Sequence, residues 1–257
     1  MSRAYVSFDG HMAEELAFSD PVPKNHRLFF FEQTDSTNRR ASEAIRSGSA
    51  REGDVFIARH QSLGRGTKGR SFFSEGGLYM SVILPKNVRV PLFTAFVSVC
   101  VARAIKRACG AECLIKWVND IILEGKKVCG ILCESLYLDG TDNAPYVIAG
   151  IGINTRTKDF PEELRGVATS LLLEGYEVDD LTLAEEIVRE LDGETDASAV
   201  LAEYKALSSI LGKQVSVTLP DGEKKEGIAS DIGEDGSLTL KSGGKKEVIL
   251  CADVFPL

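Results

Sequence analysis

The sequence of 257 residues predicts an α+β protein: a central mixed β-sheet backed by helices, followed by a small all-β unit. Three observations predict it. Strand-length apolar runs recur between residues 27 and 154, interrupted by two stretches with helical spacing. Two more helical stretches follow, at 181–194 and 196–208. From Leu211 the chain changes to short strands cut by glycine and aspartate turns, the pattern of a compact β-barrel-like unit. The expected division is a lead-in at 1–26, a main domain at 27–208 and a C-terminal β domain at 209–257.

Residues 1–26 are mixed and poorly periodic, with Pro21 and Pro23 near their end, and read as a loose lead-in. "RLFFFEQ" (27–33) is the first strand. "STNRRASEAIRSG" (36–48) opens on helix-capping residues and stops at Gly48. "DVFIARH" (54–60) and "GLYMSVILP" (77–85) are the next strands. "PLFTAFVSVCVARAIKRACG" (91–110) carries apolar residues at helical spacing, closes on basic residues and ends on Gly110, which makes it the main buried helix. "CLIKWVNDIIL" (113–123), "KVCGILCESLYL" (127–138) and "YVIAGIGIN" (146–154) read as three strands, the first two joined through "EGKK" as a hairpin turn. "LTLAEEIVRELDGE" (181–194) opens on a capping box formed by Thr182 and Glu185.

Composition excludes several functions. With a net charge of −8, the chain lacks the basic footprint of a non-specific nucleic-acid binder. Its six cysteines form no C-x-x-C pair and have no neighbouring histidine, and most sit in apolar runs, so small buried thiols of a reducing compartment are expected rather than zinc ligands. There is no N-terminal apolar h-region and no run of eighteen apolar residues, so a cytoplasmic protein without a membrane span is expected.

The most unusual stretch is "GRGTKGRS" (64–71), which overlaps two phosphate motifs. Read as G-x-G-x-x-G it needs a helix opening on the loop, and so does a Walker A loop, whose lysine is here Arg70. The sequence that follows, "SFFSEGGLYMSVIL", is aromatic and β-like, so neither motif applies. Three glycines still free backbone amides for an anion, and Arg65, Lys68 and Arg70 concentrate positive charge in an acidic chain.

This loop stands in an ordered set with "DSTN" (35–38), "KWVND" (116–120), "KKVCGILCE" (126–134) and "GIGIN" (150–154). Together, over about residues 27–257, they resemble the biotin protein ligases. The resemblance implies a biotin/lipoate ligase-like catalytic domain with a small C-terminal SH3-like β-barrel. It implies ATP and biotin as substrates, with Mg2+, and a two-step reaction. The biotin carboxylate attacks the ATP α-phosphate to give biotinyl-5′-adenylate, and a lysine of a carboxylase's biotin carboxyl carrier domain then takes the biotin. Such chemistry asks for fixed cations and amides rather than a covalent nucleophile. By resemblance, Lys116, Arg65 and Arg70 are the catalytic cations. Ser36, Thr37, Asn38, Gln61, Gly64, Gly66, Thr67, Gly130, Gly150 and Gly152, with Arg65 and Lys116, form the biotin site. Lys68, Gly69, Arg70, Phe72, Trp117, Asn119 and Asn154 serve the adenylate, and Asp120 is the candidate Mg2+ ligand.

Departures from the family pattern are Thr67 where arginine is common, Phe72 where tryptophan is common, Val118 for proline, and "CADVFPL" at the C-terminus. Thr67 removes one cation from the adenylate and is expected to loosen its retention. About 26 residues precede the first expected strand, so no winged-helix DNA-binding unit and no nucleic-acid partner are expected, while a homodimer is left open. The rival readings are a lipoate or octanoate ligase on the same fold and a non-catalytic biotin sensor.

Overall fold

The computed structural model describes residues 4–8, 10–18, 26–84, 92–138, 146–193 and 196–257; Pro21, Pro23, Pro85 and Pro91 lie outside them, as does the side chain of Lys68. Among the described residues the main sheet has nine strands in the order β1-β2-β3-β4-β5-β9-β8-β7-β6. These are β1 (Ala4–Phe8), β2 (His11–Leu16), β3 (Leu28–Thr34), β4 (Val55–Gln61), β5 (Leu78–Leu84), β6 (Leu114–Lys116), β7 (Asp120–Leu123), β8 (Lys126–Leu136) and β9 (Tyr146–Ile153). β3 and β4 pair parallel and the other neighbours antiparallel, which makes the sheet mixed.

Helices cover both faces. α1 (Thr37–Arg46) packs on β4, β5 and β9. α2 (Phe93–Cys109) and α3 (Asp180–Leu191) take the opposite face, and α4 (Ala197–Ala206) packs on α2. Strand alternation sorts the core accordingly. Leu28, Val55, Ile57, Met80, Val82, Ile151 and Ile153 face α2, whereas Phe29, Phe31, Phe56, Ile83 and Ile148 face α1. α2 is apolar nearly all round because α3 and α4 bury the sides the sheet does not. Gly110 ends it in the left-handed region at φ 81°, with its amide on Lys106 O, as expected.

Three expectations are corrected. The lead-in is not loose: β1 and β2 form an antiparallel hairpin that extends the sheet beyond β3. Phe8 anchors it, 5% exposed, with its ring centroid 4.9 Å from Phe29 and 5.4 Å from Phe56. Burying one such ring contributes about 2 kcal/mol, enough to hold a strand whose other residues alternate poorly. "CLIKWVNDIIL" is not one strand but two, β6 and β7, folded back on each other with Lys116 opposite Asp120. The capping box is displaced: Asp179 is the N-cap of α3 and accepts the Thr182 amide at 3.0 Å. Aspartate caps as well as threonine, and it lies nearer the point where the chain turns. The expected "EGKK" hairpin is present, with Glu124 at φ 47° and Gly125 at φ 77° between β7 and β8, the two positive angles of a type I′ turn.

The C-terminal unit is a separate five-stranded antiparallel sheet, order β13-β12-β11-β10-β14. Its strands are β10 (Gln214–Thr218), β11 (Lys224–Ile232), β12 (Leu238–Ser242), β13 (Lys245–Ile249) and β14 (Asp253–Pro256). Val215, Val217, Ile232, Leu238, Leu240 and Val254 fill its interior. The connector from α4 runs beside β6: the Ile115 amide donates to Leu207 O and the Ser209 amide to Ile115 O, both at 2.8 Å.

Candidate active site

One register row organises the site. Phe31, Ala58, Tyr79, Gly152, Gly130, Asp120 and Lys116 are successive cross-strand partners from β3 to β6, all on the α1 face. The row begins with Phe31, Ala58 and Tyr79, drops to two glycines, and ends on a carboxylate and an ammonium. The α1 face is therefore filled by helix at one end and left as a shallow floor at the other. Phe72 lies on that floor, where a Cβ at Gly152 would come within 2.7 Å of its ring and one at Gly130 within 3.1 Å. The ring meets Tyr79 edge-on at 6.2 Å. Tyr79 is 1% exposed, and burial pushes its phenol well above the usual range, so it stays neutral.

Above the floor, the first turn of α1 builds a closed polar network. Gln61 Oε1 accepts the Thr37 amide at 2.9 Å and the Thr37 hydroxyl at 3.2 Å. The Ser81 hydroxyl lies 2.5 Å from Asn38 Oδ1 and 2.7 Å from Thr37 Oγ1. Asn38 Nδ2 donates to Glu134 Oε2 at 2.7 Å and to Leu132 O at 3.3 Å. A side chain at Gly150 would fall on Asn38 Oδ1. Gly150 thus makes room for Asn38, and Asn38 ties the helix to β5 and β8. Ser36 is the N-cap by position, yet its side chain makes no capping bond; Asp35 Oδ1 instead takes the Ser36 amide at 2.7 Å.

The glycine loop closes on itself. The Phe72 amide donates to Gly64 O at 2.8 Å, the Gly66 amide to Arg70 O at 2.7 Å, and Thr67–Gly69 form a single 3-10 turn with Gly69 at φ 72°. A side chain at Gly64 would press on Ser74 Oγ at 2.6 Å and Phe72 O at 2.7 Å, so only glycine suits that close approach. Arg65 leans to Glu134 at 3.4 Å. Arg70 reaches the other domain, its Nη2 donating to Asp253 Oδ1 at 2.5 Å and Oδ2 at 2.7 Å.

Lys116 meets the same C-terminal strand: its ammonium sits 4.7 Å above the Phe255 ring. Burial lowers its pKa from 10.5, with Lys127 and Arg70 acting the same way and Asp120 and Asp253 opposing. Trp117 is 4% exposed and donates Nε1–H to Gly236 O at 2.8 Å, so the turn between β6 and β7 is fastened to the C-terminal sheet. Val118 O accepts the Tyr204 hydroxyl at 2.9 Å.

The expected site residues therefore gather on one face, but several hold each other. Asn119 Nδ2 donates to Ile131 O at 2.7 Å, and Asn154, 4% exposed, donates to Thr169 O at 2.9 Å. Both shape loops around the floor. Asp120 pairs with Lys127 at 2.6 Å. Among the described residues no three His, Cys, Asp or Glu side chains converge on one point. Residues missed from sequence include Ser81, Glu134, Lys127, Asp253 and Phe255. Ser81 had a readable signal, the one small polar residue of "LYMSVIL", at an α1-facing position.

Residues 30–154 match the biotin/lipoate A/B protein ligase family, and residues 210–255 match the biotin protein ligase C terminal domain. The biotin–[acetyl-CoA-carboxylase] ligase of Mycobacterium tuberculosis is 34% identical over 216 residues, covering 77% of this chain and 77% of that protein. The chain belongs to the biotin protein ligase family. The bifunctional ligase/repressor BirA of Bacillus spizizenii is 34% identical over 170 residues, and that of Bacillus subtilis 38% over 151. The chain spans about half the length of these two, 52% and 46%. In fold it is similar to the family's Aquifex aeolicus member in complex with biotin and ATP, with a TM-score of 0.76 at 23% identity, covering 90% of this chain and 99% of that one. The Leishmania major enzyme in complex with biotinyl-5-AMP gives a TM-score of 0.60 at 25% identity, covering 87% and 98%.

Proposed function

We propose that the chain is an ATP-dependent biotin protein ligase. The observation that carries this reading is the floor row, which sets two glycines beside an aromatic wall and ends on Asp120 and the ammonium of Lys116, with Arg70 at hand from the loop. An apolar strip that leads to paired charges, with the ammonium of Lys116 at its end, suits a fused-ring acid lying beside a nucleotide phosphate. The biotin carboxylate oxygen attacks the α-phosphorus, the bond to the β-phosphate breaks, and pyrophosphate leaves. The amine of a carrier-domain lysine then attacks the acyl carbon, loses its proton and expels AMP. Lys116 offsets the repulsion between carboxylate and α-phosphate, and Arg70 and Arg65 take phosphate charge. Mg2+ would enter as the counter-ion of the substrate ATP.

In this reading, the hydroxyls of Ser36 and Thr37, with Asn38 and Gln61, face the ureido ring; Gly64, Gly66, Thr67, Gly130, Gly150 and Gly152 shape its slot. Lys68, Gly69, Phe72, Trp117, Asn119 and Asn154 border the adenylate. The catalytic domain ends near residue 208 and an SH3-like domain follows. The setting is cytoplasmic, and the macromolecular partner is a biotin carboxyl carrier domain rather than nucleic acid. No helix among the described residues is long and apolar enough to cross a membrane.

Transfer of labelled biotin to a carrier domain in the presence of ATP tests the reading. Labelling with biotin but not with lipoate is expected; lipoate transfer, or none, overturns it. The loop adds a prediction. Thr67 leaves a short neutral side chain in the 3-10 turn, so Thr67→Arg is expected to slow biotinyl-adenylate release about tenfold, as one charge-assisted contact would. Stopped-flow chase with unlabelled biotin measures it, and unchanged release excludes a role for Thr67.

A further inference from the structure

β7 and β8 pair Asp120 with Gly130 and Ile121 with Cys129, then skip to Ile122 with Lys127, so Val128 is an extra residue on β8. In an unbroken strand, residues three apart point to opposite faces, and Lys127 would face α2 while Gly130 faces the site. The bulge reverses this. Val128 and Cys129 are both fully buried in the core on the α2 side, and Lys127 emerges on the Gly130 side. There its ammonium lies 2.6 Å from Asp120 Oδ1 and 5.9 Å from the Phe72 ring centroid. It is 3.1 Å from the point where a side chain at Gly130 would begin.

The fold gains little from this inversion. A partly exposed lysine–aspartate pair adds little stability, and the bulge costs ladder pairing. Its yield is a second cation on the glycine floor. Asp120 stands between the two lysines, as ion-pair partner of Lys127 and register partner of Lys116.

We propose that Lys127 is a second substrate-contacting lysine of the adenylation site, binding nucleotide phosphate oxygens beside Lys116, with Asp120 holding its ammonium over the floor. Three cations, Lys116, Lys127 and Arg70, then face the phosphates together, and Asp120 and Asp253 keep them from repelling one another. The inference rests on the ligase reading.

Two assays on wild type, Lys127→Met, Lys127→Arg and Asp120→Asn test it: calorimetric binding of ATP alone, and biotin-dependent ATP–pyrophosphate exchange. Lys127→Met is expected to weaken ATP binding about tenfold and slow exchange about a hundredfold, while biotin affinity stays within about twofold. Lys127→Arg keeps the charge and is expected to recover ATP affinity to within about threefold. Asp120→Asn leaves the ammonium less well placed and is expected to fall between wild type and Lys127→Met in both assays. Wild-type ATP affinity and exchange in Lys127→Met overturn the proposal. So do equal losses in the Met and Arg variants matched by equal drops in urea midpoint, which mark a purely structural pair. If wild type binds ATP but catalyses no exchange, the ligase reading fails, and the binding assay alone still decides Lys127.

Discussion

Replacing Lys116 by methionine is expected to lower kcat/KM for adenylation about a thousandfold, roughly 4 kcal/mol at the transition state. Biotin affinity is expected to fall far less, because the ammonium is needed where two anions meet and not where the ring system packs. Its surroundings also set a pH dependence. Burial lowers the Lys116 pKa from 10.5, so the cation is complete at low pH and is lost as pH rises through the lowered value. The alkaline limb of kcat/KM is therefore expected below the range of an ordinary lysine. Lys116→Arg, which retains its charge throughout, is expected to remove that limb even if it turns over slowly. Equal losses of biotin affinity and turnover in Lys116→Met would show that the residue only shapes the pocket.

Gly150→Val is the second large effect. The new Cβ falls on Asn38 Oδ1, whose amide is fastened to Ser81, Leu132 and Glu134. Relief requires either breaking those buried bonds or lifting α1 from the sheet, at a cost of about 3 kcal/mol or more in stability. Urea unfolding measures this directly. A double-mutant cycle with Asn38→Ala is expected to recover a good part of the loss, since deleting the amide empties the contested space. Additive losses would mean that Asn38 is not what Gly150 accommodates.

Much of the fold was readable because each signal was local. The helical pattern of "ASEAIR" with its stop near Gly48, the apolar spacing of 93–109 and the "EGKK" turn act within a few residues of themselves. The β1–β2 hairpin escaped because its main determinant, Phe8, acts through rings 21, 23 and 48 positions away on Phe29, Phe31 and Phe56. The fold-back at Trp117–Asn119 escaped because "CLIKWVNDIIL" keeps a strand-like pattern across its own turn, which is fixed by the Trp117 bond to Gly236 in the other domain. For the site, residue types were legible and orientations were not. Asn38, Asn119 and Asn154 were marked as polar groups of the right kind, yet each spends its amide on the protein. Lys127 was hidden by one extra residue in a strand, since parity of facing cannot be counted across a bulge that the sequence does not announce.

The connector between the two sheets has a consequence of another kind. By bonding along Ile115 on both sides, residues 207–209 supply the partner that the outermost strand of the large sheet would otherwise lack. An open edge of that kind is a template for pairing with other chains. A cut or a proline between Leu207 and Ser209 would therefore do more than loosen the C-terminal sheet: it would free the amide and carbonyl of Ile115 and open that edge of the large sheet to pairing with another chain.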